Sequence, residues 1–217
     1  MLTLYVADPA SVAKIRCSPP SWMCLMALAE KEVAHEVVRL DFTRREHATA
    51  AMLAKNPRGT IPVLEHDGVI VHETLAIMEY IEAWCPGPCL MPKDRAPAAR
   101  ALTRLHESVA LKDRGMALFA HLMREGDADR AAALAREFEQ ELARWEAYYD
   151  VDDFVAGSLG LADLAVFAYV ATARRLGLDL GSRPALARFY ERMLVRPSVA
   201  QTWPDTWSAA SASTYPR

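Results

Sequence analysis

NPRGTIPVLEHDGVIVHETLAIMEYIEAW, residues 56–84, sets breakers and apolar runs in an order that specifies a hairpin followed by a helix. Asn56-Pro57-x-Gly59 is a turn signal built from two breakers. Residues 61–65 form a short apolar strand, and residues 69–72 form its partner. Between them His66-Asp67-Gly68 makes the turn, because Asp-Gly between two apolar runs suits the positive φ values of a tight hairpin. Thr74 opens a helix whose Ile77, Ile81 and Trp84, spaced by four and three, share one face.

Pro62 is the unusual residue in this hairpin. Proline donates nothing to a sheet ladder, so it belongs at the start of a strand, and it holds Ile61 extended. An Ile-Pro bond is also open to the cis form. An extended Ile61 with its peptide groups turned outward offers an edge to a peptide-like ligand. Glu73-Thr74 places a carboxylate, a hydroxyl and free amides at a helix start, where an anion is attracted and an ammonium finds a partner. Together these features suit a γ-glutamyl peptide; the plainer alternative is that Pro62 and the hairpin only shape a small domain.

The order Asn56-Pro57-x-Gly59-x-Ile61-Pro62-x-Leu64, then Gly68, then Glu73-Thr74-x-Ala76-Ile77-x-x-Tyr80-Ile81, resembles the glutathione-binding half of the cytosolic glutathione S-transferases, and within them the bacterial, serine-type-like members. The family usually carries Glu-Ser where this chain has Glu73-Thr74, and threonine keeps the hydroxyl.

Composition sets the outer limits. The chain has 217 residues, 52% of them hydrophobic, and a formal charge of −3. That is enough apolar matter for a sizeable core in one large or two small domains. Basic residues are scattered, which argues against a nucleic-acid partner. No apolar run reaches the roughly 20 residues of a membrane span. MLTLYVADPA has neither a basic flank nor a long apolar stretch, so no secretory signal is expected. Four cysteines in a chain this long do not form a disulfide framework, and a cytoplasmic setting follows as the default. Cys85-x-x-x-Cys89 lacks both redox spacing and a nearby histidine, so no metal is expected.

In chain order, residues 2–6 are a first strand, and a helix runs from about Pro20 to Lys31 with proline in its first turn. Residues 37–41 are a second strand, and Thr43-x-x-Glu46 reads as a capping box opening a helix to about Lys55. The order β-α-β-α-β-β-α resembles an α/β thioredoxin-like domain over residues 1–84. Residues 85–97, CPGPCLMPKDRAP, read as a stiff linker. Residues 98–217 read as an all-α bundle. Its expected helices are 98–124, one capped by Asp127 and reaching about Tyr149, an almost wholly apolar 161–176, and an amphipathic 184–194. Apolar residues all round suit a helix at the centre of a bundle. Gly160-Leu161-Ala162-Asp163 resembles the family's capping box, with glycine in place of the hydroxyl residue. Trp203, Trp207 and Tyr215 punctuate a tail that is rich in small residues after Trp207.

The resemblance implies glutathione as co-substrate, held as a thiolate that attacks a small hydrophobic electrophile, with a role in detoxification. A thiol needs help to ionise at neutral pH, and a hydroxyl donor at a helix start supplies it. Ser18, leading into the first helix through Pro19-Pro20-Ser21-Trp22, matches the serine-type hydroxyl, and it would also serve as a plain N-cap. Cys17 beside Arg16 is the rival and would make the protein a thiol reductase. Tyr5 lies within the first strand and does not match the tyrosine-type position. The connection over residues 7–17 is longer than the family usually needs, so it could cover the site, restrict the substrate, or pass the role to Ser11. Ile61 and Pro62 would present the backbone edge to the cysteinyl part, Glu73 and Thr74 would hold the γ-glutamyl end, and His47 or Arg58 would meet the glycyl carboxylate. The second substrate would lie between the domains, with His106, Val109, Met116, Phe119, Trp203 and Trp207 as candidate walls. The resemblance also implies a homodimer. Glutathione-dependent isomerisation, dehalogenation, and a non-catalytic binding protein of the same fold are the alternatives.

Overall fold

The computed structural model describes residues 1–124 and 127–207, so Tyr215 and the small-residue tail lie outside the described residues. The chain forms two compact units: Met1–Leu90 joined by the described residues from Ser198 onward, and Met91–Pro197.

The first unit contains β1 (Leu2–Ala7), α1 (Pro19–Glu30), β2 (Glu36–Leu40), α2 (Ala50–Lys55), β3 (Val63–His66), β4 (Val69–His72) and α3 (Thr74–Trp84). The sheet order is β2-β1-β3-β4, with β2 parallel to β1 and the other pairings antiparallel. This is the thioredoxin-like arrangement expected from the element order. Leu4 and Leu64 face each other in register and are fully buried, and α1 packs on α3 beside them. The hairpin turns at Asp67 (φ 48°) and Gly68 (φ 85°), two successive left-handed residues that match the right-handed twist of the flanking strands.

Four local expectations change. The capping box at Thr43 and Glu46 does not form. Asp41 Oδ1 instead accepts from the Thr43 amide at 2.7 Å, the Thr43 hydroxyl at 2.6 Å and the Arg44 amide at 3.3 Å. Arg45 then turns left-handed (φ 57°), so only a short 3-10 turn follows, and α2 begins at Ala50 with Thr49 as its cap. A short aspartate that bonds its own downstream amides competes with helix initiation, and here it wins. Strand β3 starts at Val63 rather than Ile61, because Pro62 has no amide hydrogen to give the ladder; the Ile61-Pro62 bond is cis. Ile77 and Ile81 are fully buried, but Trp84, the last residue of α3, is 71% exposed and lies beside Tyr80.

The linker is also shorter at its far end, since α4 begins at Arg95. Its first half is tied to the first unit. Lys31 Nζ, buried at the end of α1, donates to Glu82 Oε2 at 3.0 Å and to the Pro88 carbonyl at 3.1 Å, and Glu82 also accepts from the Leu90 amide. Gly87 (φ 113°) makes this possible, because a Cβ there would stand 2.1 Å from the Lys31 carbonyl oxygen.

The second unit is built from α4 (Arg95–Met123), α5 (Ala128–Tyr149), α6 (Leu161–Leu176) and α7 (Pro184–Leu194), with α8 (Pro197–Thr202) following. Every residue of α6 from Leu161 to Ala173 is buried, as its apolar surface requires. Gly115 lets α4 pass close to the bundle centre, since a Cβ there would meet Tyr169 at 3.1 Å and Phe138 at 3.2 Å. Phe119, a candidate substrate wall, is fully buried and packs against Phe138 and Tyr169. Its position one turn beyond Gly115 puts it in the bundle core. Among the described residues no helix is long and apolar enough to cross a membrane.

At the start of α6 the buried Asp163 carboxylate accepts from the Gly160 amide (2.8 Å), the Tyr149 hydroxyl (3.0 Å) and the Val155 amide (3.1 Å). It joins three chain segments, so Asp163→Ala should lower the unfolding free energy by roughly 2–5 kcal/mol, read as a shifted urea midpoint. Burial pushes its carboxyl pKa from 3.8 up to about 7 against the pull of those bonds. A raised folded-state value makes the proton's contribution complete below about pH 4 and lost as pH rises through about 7. Wild-type stability should therefore fall across that window relative to Asp163→Asn; parallel curves would show that another group titrates.

Candidate active site

The sheet register gathers the candidate residues at one end. Ala7, the last residue of β1, pairs with Leu40, the last residue of the parallel β2. Because β3 runs antiparallel to β1 with Val63 opposite Tyr5, Ile61 and Pro62 arrive at that same end. Val63 also faces His72, so β4 delivers Glu73 and Thr74 there. Helix α1 begins there too: the Ala7 amide points to the Ser21 hydroxyl at 3.5 Å, and the Cys24 thiol faces the Thr74 carbonyl at 3.9 Å. Ser18, Ile61, Pro62, Glu73 and Thr74 therefore share one edge of the first unit, while His47 lies in the 3-10 turn that follows β2.

Asn56 shapes the approach to Ile61. It is 1% exposed, and its side chain donates to the Thr60 carbonyl at 2.7 Å and the Thr60 hydroxyl at 3.0 Å while accepting from the Arg58 amide at 3.1 Å. Gly59 (φ 62°) closes the turn on the Asn56 carbonyl. The result leaves Ile61 outside the ladder and carries Arg58 to within 3.8 Å of Glu73. Both members of that ion pair are well exposed, so it adds little stability, and both keep surface to present to a ligand.

Glu73 caps α3 with φ 71° and ψ 123°, a region costing a non-glycine residue about 1–3 kcal/mol. The conformation turns the chain sharply from β4 into the helix and leaves the first-turn amides of α3 without intrahelical partners. Ser18 caps α1 in extended geometry, yet its side chain makes no capping bond. It is half-buried, and its Oγ accepts from the buried Ser21 hydroxyl at 3.1 Å. A hydroxyl that accepts from behind is a better donor in front.

The rival groups are engaged elsewhere. Ser11 donates to the Asp8 carbonyl at 2.7 Å and accepts from the Phe42 amide at 3.1 Å, which ties the loop after β1 to the loop after β2. Cys17 is only 2% exposed. Tyr5 donates to Glu65 at 2.9 Å beside Lys55; burial is the main cause of its raised pKa, and the lysine bond is the main cause of the lowered Glu65 value. Cys24, fully buried, has its thiol pKa pushed well up. His47 lies against the Phe42 ring at 4.2 Å, and its buried Nδ1 has no hydrogen-bond partner. Trp203 and Trp207, candidate substrate walls, pack on Trp22 with ring centroids 5.3–5.6 Å apart. Among the described residues no group of three or more His, Cys, Asp or Glu is placed to hold a metal.

Two contributors were not singled out in the sequence. The sequence marks Asn56 only as part of a turn signal, and Ser21 only as a residue leading into α1. An amide residue ahead of Pro-x-Gly was the available clue to the first. Nothing local distinguished the second.

Comparison with known proteins identifies the family. The family profile described as glutathione S-transferase, N-terminal domain, matches residues 17–84, and that for the C-terminal domain matches residues 89–197. Glutathione S-transferase A of Pleuronectes platessa is 33% identical over 200 residues, covering 88% of this chain and 89% of that protein. Maleylacetoacetate isomerase of Mus musculus is 27% identical, covering 80% and 82%. A glutathione S-transferase from the Antarctic clam Laternula elliptica superimposes with a TM-score of 0.83 at 28% identity, over 98% of this chain and 95% of that one. The chain belongs to the glutathione S-transferase family. Its two family domains are those of a glutathione transferase, an enzyme that uses glutathione as co-substrate.

Asn56→Ala leaves the Thr60 carbonyl and the Arg58 amide without their buried partner. It should weaken glutathione binding by about tenfold or more and cost roughly 1–3 kcal/mol of stability. Titration calorimetry beside thermal unfolding checks this, and a loss of stability with unchanged affinity would remove Asn56 from the site.

Proposed function

We propose that this chain conjugates glutathione to small hydrophobic electrophiles, with Ser18 as the hydroxyl that stabilises the thiolate. The reading rests on one observation. Ser18 stands at the start of α1 with its side chain unused by the helix cap and with Ser21 donating into its oxygen. Its hydrogen is thereby directed to an acceptor outside the helix, and the positive end of α1 favours an anion there.

In this mechanism the backbone of Ile61, set by Pro62, pairs with the cysteinyl part of glutathione. Glu73 accepts from the γ-glutamyl ammonium, while Thr74 and the first-turn amides of α3 receive its carboxylate. His47 and Arg58 meet the glycyl carboxylate. The thiol loses its proton to solvent, and Ser18 donates to the resulting thiolate. The sulfur then attacks an electrophilic carbon. In a displacement the carbon–leaving-group bond breaks and its electron pair departs with that group. In an addition the electron pair of a double bond moves to the neighbouring carbon, which takes a proton. The first unit holds glutathione, and the helices α4 to α7 of the second unit select the electrophile. The protein works as a homodimer of the serine type in the cytoplasm.

The likeness to a maleylacetoacetate isomerase supports a second reading. The same thiolate adds to a conjugated cis double bond, the resulting single bond rotates, and elimination releases the trans product and returns glutathione. Both reactions begin with the Ser18-supported thiolate, so they differ only in the acceptor.

Ser18→Ala should lower turnover by about tenfold or more, equivalent to about 1.4 kcal/mol of transition-state stabilisation, while glutathione still binds. The pH midpoint of the bound-thiolate ultraviolet absorbance should rise with it. Unchanged turnover would take Ser18 out of the mechanism. Assaying an aromatic halide against maleylacetoacetate separates the two reactions.

A further inference from the structure

The long connection over residues 7–17 does not stand alone. It contains a 3-10 turn (Pro9–Ser11), and then Lys14 (φ 48°) and Arg16 (φ 47°) both adopt the left-handed region. Two non-glycine residues in that region within three positions form an unfavourable local conformation, which persists only where other parts of the molecule hold it. The holding groups come from the far end of the chain. Trp207 Nε1 donates to the Ile15 carbonyl at 2.8 Å, and the Thr206 hydroxyl donates to the Arg16 carbonyl at 2.8 Å. Arg16 is two residues before Ser18.

The same segment also grips the other side of Ser18. Trp22, one turn into α1, donates its indole N–H to Thr202 at 3.0 Å, while its own amide donates to the Ser18 carbonyl at 2.9 Å. Trp22, Trp203 and Trp207 form a triangle of edge-to-face rings with interplanar angles of 81–83°. Ser198 bonds the Glu30 carboxylate at the end of α1, and Asp205 pairs with Arg39 of β2 at 3.1 Å. The segment is thus pinned along α1, across to β2, and onto the loop that leads into Ser18.

From this arrangement we infer that residues 198–207 position the thiol-activating hydroxyl, with Thr206 and Trp207 acting through Arg16 and Ile15. These are positioning residues, since their hydrogen bonds end on the loop and not on Ser18. The inference rests on the assignment of Ser18 made above. A hydroxyl stabilises a thiolate only at hydrogen-bond distance and good angle, so a loop that relaxes by a fraction of an ångström weakens that donation.

The test uses the full chain carrying Thr206→Val with Trp207→Phe. Thr206→Val keeps the side chain's shape and Trp207→Phe keeps one aromatic ring in the Trp22 cluster; together they remove the two donors. Two readouts are taken beside wild type. The first is trypsin cleavage after Lys14 or Arg16, both exposed, which reports whether the loop is held and needs no assumption about activity. The second is the pH midpoint of the bound-glutathione thiolate absorbance, with kcat and KM. Cleavage should quicken by about threefold or more. The thiolate midpoint should rise by about half a unit or more, and kcat should fall by about threefold or more, with KM for glutathione within about twofold. Faster cleavage with an unmoved midpoint and kcat would show a purely structural tail and overturn the inference. Unchanged cleavage would overturn it at the first step. A wild type that binds glutathione without forming thiolate would instead overturn the Ser18 assignment, and this inference with it. Should the double variant fail to fold, Thr206→Val alone is read the same way, because it removes a single donor at a partly exposed position.

Discussion

Leu64 lies opposite Leu4 on one side and Val71 on the other, and that double pairing of β3 is what the first unit depends on. Because side chains alternate along a strand, a slip of one residue would exchange the faces of Val63 and Leu64, taking Val63 out of its cluster with Leu40 and Met52 and Leu64 off its pairing with Leu4. It would also move Ile61 and Pro62 away from the ends of β1 and β4. The register therefore sets the hydrophobic core and the site together. The chain entering β3 is shaped by Asn56, and the chain leaving β4 is turned by Glu73 at positive φ. Both features set local backbone preference against the placement of a binding edge.

Helix α1 shows the same balance. Pro19 and Pro20 suit a first helical turn, where amide hydrogens have no intrahelical partners. A serine in front of them would ordinarily bond the helix's free amides, and here its side chain does not. Leaving that cap unmade forgoes about 1 kcal/mol of helix stability. The hydroxyl instead sits on Ser21, and the Trp22 cluster and the Lys31–Glu82 pair support the helix at other points. Stability is supplied away from the reactive end, which leaves that end available for chemistry.

In the second unit the polar constraint is inside the bundle. Asp163 satisfies two amides and a tyrosine hydroxyl at the buried start of α6, a helix whose other surfaces are apolar. Glycine at the N-cap position offers no side-chain acceptor to the first-turn amides, while the Asp163 side chain makes the other half of the capping box by accepting from the Gly160 amide. Gly115, the breaker inside the long α4, serves close packing against Tyr169 and Phe138 and does not interrupt the helix.

Much of this was legible in the order of residues. Breakers at 56–59 and 67–68, the extended pair before Val63, and the apolar helix at 161–176 are local signals, and local backbone preference determined them. The sequence by itself therefore determined the hairpin, the element order, the thioredoxin-like class and the family. Other features were decided by the tertiary structure. Asp41 displaced the expected capping box because its carboxylate takes the Thr43 and Arg44 amides. Phe119 looked like a wall because helical spacing tells which face a residue shares, not what that face meets. Trp203 and Trp207 became part of the support around Trp22, and Ser11 became a brace between two loops, through contacts with residues distant in sequence. A hydrogen bond between positions 15 and 207 leaves no periodicity or spacing to read. It exists only once the chain has closed, because its energy depends on distance and angle in space.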